Sequence, residues 1–149
     1  MKAFRFRLEQ VLRWRETQVG VQKSRTAMAA AKLSELQAAL AGLRREAQEN
    51  ATAIANSQSG VLMSQYAHFA ARSRRKIDAV SARVREAERA LDAEKALLVK
   101  AERDRKLLEQ VRAARAAEWQ AGFERELEAF AGESFLGRIQ SKKTPRTFS

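Results

Sequence analysis

The sequence predicts an all-α fold: two long helices, joined by a short turn, that lie against each other as an antiparallel coiled-coil hairpin. Three observations predict it. Alanine, arginine, glutamate, leucine and glutamine dominate, while the 149 residues include only seven Phe, two Trp and one Tyr, a composition typical of long helices. Six glycines and one proline, Pro145, leave too few chain breakers for the repeated turns of a sheet protein. Apolar residues also recur at three- and four-residue spacing through both halves of the chain.

The first helix is expected over about 4–56. Leu33, Leu36, Leu40, Leu43, Ala47 and Ile54 fall on the a and d positions of a heptad, with Asn50 as the polar exception. Continued backwards, the frame passes through Ala29, Thr26, Gln22, Val19, Arg15, Leu12 and Leu8, a weaker stripe with three polar members. Asn56, Ser57, Gln58, Ser59 and Gly60 form the one interior cluster of turn-forming residues, which places the turn at about 57–61. Gly60 suits the left-handed backbone angle that ends a helix.

The second helix is expected over about 62–131. Its stripe begins with Leu62, Tyr66 and Phe69 and continues through Ile77, Val80, Val84, Ala87, Leu91, Leu98, Ala101 and Leu108. It then slips towards Val111, which reads as a stutter in a continuous helix. A turn centred near residue 59 pairs residue i with about residue 118 minus i, since the two apolar stripes must cover each other. Leu40 then lies near Asp78 to Val80 and Leu12 near Lys106, so residues 1–137 form one hairpin. Residues 138–149 read as a basic, disordered tail.

That register exhausts the first helix opposite residue 114 and leaves Trp119, Phe123, Leu127 and Phe130 beyond it. Their spacing of four, four and three puts them on one helix face. The stretch 115–131 projects roughly 25 Å past the paired region. From Glu118 onwards Glu118, Glu124, Glu126, Glu128 and Glu133 accompany it, against Arg125 alone before Arg138. Two readings stand: the stripe packs internally or on a second copy, or a partner covers it. On the second, Trp119→Ala with Phe123→Ala weakens partner binding and leaves helicity and melting nearly unchanged.

The formal charge of +11 asks for an acidic partner. Residues 1–25 carry seven Lys and Arg against Glu9 and Glu16, and further clusters lie at Arg72, Arg74, Arg75 and Lys76 and at Arg138, Lys142, Lys143 and Arg146. Charge therefore gathers at the ends and beside the middle. Basic ends suit a phosphate backbone, but acids are scattered along both helices and no nucleic-acid module is recognisable. The cluster at 72–76 reads equally as a solvated face or a functional patch. A nucleic-acid binder is therefore the lesser alternative.

Enzymatic chemistry is not expected. The chain has no cysteine, its one histidine, His68, lacks nearby ligands or an orienting acid, and no glycine-rich phosphate loop exists. No catalytic, cofactor or metal site is predicted, and His68 reads as a surface or seam residue. The N-terminus interleaves charge every two or three residues and is no signal peptide, and no run approaches the roughly 20 apolar residues of a membrane span. A cytoplasmic protein is expected.

These residues also resemble a known family. The opening FRFRLEQVLRWRE, Phe4 to Glu16, is similar to the N-terminal signature of the FliJ proteins of the bacterial flagellar type III export apparatus. The segment GVLMSQYAHFAARSRRKI resembles the family's stretch after the turn, with Tyr66, Phe69 and Ile77 at its characteristic positions. The resemblance implies a hairpin similar to the rotary γ stalk of F-type ATPases, without enzymatic activity. It implies a cytoplasmic location beside the inner-membrane export apparatus, with three partners: the hexameric export ATPase FliI, the cytoplasmic part of the export gate FlhA, and export chaperones. Leu8, Leu12, Arg13, Trp119, Phe123, Leu127 and Phe130 would then face the ATPase, and Tyr66, Phe69 and Ser73 the gate. Ser73 departs from the Leu of many relatives, and the late Leu-Asp-Glu motif survives only as Leu127-Glu128-Ala129. The equivalent stalk of a virulence type III system is the alternative within this reading.

Overall fold

The computed structural model describes residues 2–57 and 60–143. It contains two helices, α1 over Glu9–Ala55 and α2 over Gly60–Lys143, which pack against each other as a helical hairpin. The chain divides into two compact units, Glu16–Arg103 and Met1–Arg15 with Asp104–Ser149.

In the unit Glu16–Arg103 the expected heptad frame is the contact seam. Val19, Leu40, Val84 and Ala87 are buried, and Leu33, Leu36, Leu43, Ala47, Ile54, Ile77, Val80, Leu91 and Leu98 are half-buried. The polar members of the stripe are paired rather than tolerated. Gln22, only 7% exposed, donates from Nε2 to the Glu94 carbonyl oxygen at 3.1 Å and also to the Glu94 carboxylate. Thr26 Oγ1 donates to the Gln22 carbonyl at 2.9 Å and lies 3.4 Å from that of Glu94. A buried amide costs stability unless its donors are used. The pairing therefore holds Gln22 opposite Glu94, close to the Ala96 position that the expected register assigns.

The unit Met1–Arg15 with Asp104–Ser149 is also antiparallel but more polar. Leu12 is its centre, 1% exposed. Arg15 Nη1 lies 3.1 Å from Asp104 Oδ2, and Arg112 Nε lies 3.2 Å from Glu9 Oε2. Val111, towards which the frame is expected to slip, is 41% exposed, and the Arg112 side chain beside it is 49% exposed. Three- and four-residue spacing continues instead from Leu108 through Arg112 and Ala116 to Trp119 and Phe123. Arg112 stays exposed on this line of spacing, and Glu9 pairs with it.

The element boundaries differ from the expected ones at each end. Phe4, Phe6 and the exposed Arg5 and Arg7 are not helical; a turn with the Glu9 amide on the Phe6 carbonyl at 3.1 Å precedes α1. Side-chain exposure alternates from Phe4 to Arg7, the period of extended chain rather than of helix. Glu9 then suits the positive end of the helix dipole. At the other end of α1, Ser57 donates to the Ile54 carbonyl at 2.9 Å, an i to i−3 bond that tightens the last turn.

Gly60 does not terminate a helix with a left-handed angle; it opens α2, and among the described residues no glycine has positive φ. The expected turn centre at 58–59 lies outside the described residues. α2 runs through Gly132 and Gly137 to Lys143, so residues 138–143 of the expected tail are helical, while 144–149 lie outside the described residues. One glycine costs a helix about 1 kcal/mol, too little to end one that good helix formers continue.

Candidate functional site

The first candidate surface belongs to the unit formed by the two chain ends. A helix rises about 1.5 Å per residue, whereas extended chain covers about 3.3 Å. The non-helical residues before Glu9 cover more distance per residue than a helix would, and the pairing of Glu9 with Arg112 already runs three residues ahead of the expected register. Phe4, which the expected register sets near Ala114, meets Trp119 instead, with ring centroids 6.2 Å apart and planes inclined at 53°. Trp119 in turn stacks on Phe123, centroids 5.4 Å apart at 13°.

The expectation that nothing in the hairpin covers the aromatic stripe is thus corrected for its first half. Phe123 is half-buried and Trp119 is 37% exposed. The second half remains open: Leu127 is 49% exposed and Phe130 69%. Further along α2, Phe135 and Leu136 are also exposed.

The remaining residues expected at this end fall into different environments. Leu8 immediately precedes α1 and is 40% exposed, whereas Leu12 is enclosed and presents no surface to a partner. Arg13 is exposed and lines a shallow groove with Arg5, Arg7, Arg112, Phe4 and Phe6. Four guanidinium groups line it beside one carboxylate, that of Glu9, which pairs with Arg112. The groove is therefore cationic, while the nearby stripe is acidic.

The second candidate surface lies within Glu16–Arg103. Tyr66 and Phe69 are half-buried and line two adjoining grooves. One is completed by Asn50, Ile54, Leu62 and His68, the other by Ala47, half-buried Ser73 and Ile77. Ser73 occupies the seam-side position where a larger residue would fill the second groove. The structure thus brings Tyr66, Phe69 and Ser73 together on one side of α2. His68 is exposed at the rim, and no group of three His, Cys, Asp or Glu side chains among the described residues is arranged to hold a metal ion.

No protein-family model, curated protein or solved structure matches this chain. The site therefore rests on its own chemistry. It consists of helix faces and shallow grooves, surfaces suited to other helices. Among the described residues, no helix is long and apolar enough to cross a membrane.

The residue that sequence reasoning missed is Phe4, the cap on Trp119. The signal was present: Phe-Arg-Phe-Arg alternates with period two, which belongs to extended chain and not to a helix.

Proposed function

We propose that this protein is a non-enzymatic stalk and chaperone-escort component of the flagellar type III export apparatus, cytoplasmic and peripherally associated with the inner-membrane machinery. On this reading it binds the FliI-like export ATPase hexamer through the end where its termini pair. The Tyr66, Phe69 and Ser73 surface faces the FlhA-like gate, and export chaperones are carried as further partners. The resemblance of Phe4–Glu16 and of the Tyr66, Phe69, Ile77 spacing to the FliJ proteins supports the reading.

The single observation that carries it is the half-open aromatic stripe. Phe130 and Leu127 leave substantial apolar surface on a helix whose partner helix has ended, and exposed apolar surface of this kind marks interaction sites. The mechanism is mass action: a rod that binds only the assembled ring stabilises the ring by RT ln(1 + [L]/Kd). The hairpin thereby biases the hexamer towards assembly and links its cycle to the gate. Adding the purified protein to the matching ATPase is expected to raise both hexamer population and ATP turnover. Unchanged values of both reject the stalk.

A further inference from the structure

The open half of the stripe has a chemical bias that selects its occupant. At about 100° per helix residue, Trp119, Phe130, Phe123 and Leu127 fall within about 80° of one another. On the same scale Glu126 and Glu133 lie about 20° and 40° beyond Trp119. These two carboxylates stand one heptad apart on the edge of the apolar face itself, and neither makes an ion pair among the described residues. The opposite edge carries Glu124, which accepts a hydrogen bond from Gln120 at 3.1 Å.

Anything that buries Leu127 and Phe130 must also desolvate part of Glu126 and Glu133. An ionised carboxylate taken from water without a partner is strongly unfavourable, whereas one that meets a cation across a helix interface is not. A second copy of the chain fails this test. Laid antiparallel with Phe123 across from Leu127, it brings the edge that carries Glu126 against the same edge of the copy, Glu126 beside Glu126; laid parallel, it turns Glu126 towards the edge that carries Glu124. On this face nucleic acid and anionic membrane meet the same acids, although the chain as a whole is basic. The remaining complement is a helix that brings its own cations.

We propose that the α2 face from Trp119 to Glu133 is a docking site for a cationic amphipathic helix, one bearing Lys or Arg a heptad apart beside its apolar stripe. This deepens the reading of the same face as the stalk's gripping surface by naming the chemistry of what it grips. The positions follow coiled-coil logic, in which apolar knobs supply affinity and flanking charges choose the partner.

Trp119 is a built-in reporter. The test uses the full chain with Trp14→Phe, an exposed site, so that Trp119 is the sole indole. Two synthetic Trp-free helices of about three heptads share one apolar stripe and carry either Arg or Glu beside it. The Arg helix is expected to bind saturably with a blue shift of Trp119 emission, about tenfold more tightly than the Glu helix, ~1.4 kcal/mol. Glu126→Lys with Glu133→Lys is expected to invert that order, a gain of binding that misfolding cannot imitate. Leu127→Ala with Phe130→Ala weakens both.

Equal affinities that ignore the charge reversal, or no saturable shift with either helix, overturn the proposal. So does sedimentation of the chain as a dimer that Phe130→Ala dissociates, because a second copy then covers the face. Peptide docking without ATPase stimulation removes the stalk and leaves this site standing; stimulation without docking does the reverse.

Discussion

Leu12→Ala tests the packing of the terminal unit most directly, because Leu12 is the most completely enclosed large side chain among the described residues, 1% exposed. Removing about three buried carbons at ~0.8 kcal/mol each loses ~2.4 kcal/mol of transfer free energy. Core Leu→Ala changes in thick domains cost ~2.7–5 kcal/mol because a cavity remains. Between only two helices the gap opens to water and partly collapses, so the expected loss is ~2–3 kcal/mol. That corresponds to a fall in melting temperature of roughly 5–10 °C.

Leu8→Ala is the internal control: one turn earlier in the same frame but 40% exposed, it should cost under ~1 kcal/mol. Urea melts followed by ellipticity at 222 nm and by tryptophan emission read both variants, since Trp14 and Trp119 belong to this unit. Equal losses for the two variants, or less than ~1 kcal/mol for Leu12→Ala, refute a helix that begins at Glu9 with Leu12 in its core. A drop in partner affinity for Leu12→Ala should track the loss of folding, because the side chain has no surface to offer.

Three further outcomes follow from named contacts. A double-mutant cycle on Arg15→Ala and Asp104→Ala should give a coupling of ~0.5–1 kcal/mol that shrinks as salt is raised, because both side chains remain partly solvated. Trp119→Ala with Phe123→Ala should now lower stability by ~1–2 kcal/mol through the two ring contacts, where Leu127→Ala with Phe130→Ala leaves melting within ~0.5 kcal/mol. Gly42→Ala should raise stability by ~0.5–1 kcal/mol: the glycine sits inside α1 and an added Cβ meets no atom within 4 Å. Thermal melts decide both sets.

The ring contacts decide, for Trp119 and Phe123, between the two readings that the spacing left open: these two pack internally. Register reasoning assumed helix on both sides, so each residue of the first segment was given the reach of a helical residue. Phe4 lies in non-helical chain, and Glu9 already pairs with Arg112 rather than with the residue that the expected register assigns. Only the second half of the stripe keeps the character that the spacing suggested.

The heptad seam from Leu33 to Ile54 and from Ile77 to Leu98 was readable from spacing alone, because an apolar stripe with a period near 3.5 has one stable use, burial against another stripe. Composition likewise determined an all-α chain before any contact was known. Charged and polar seam members were not readable in this way. Whether Gln22, Arg15 and Arg112 interrupt the seam or belong to it depends on what stands across from them, and Glu94, Asp104 and Glu9 lie far away in sequence. The tertiary structure alone decided those pairings and the covering of Trp119, since each depends on what a distant segment sets across from it. Periodicity is a property of one helix; the partners of its polar positions are a property of two.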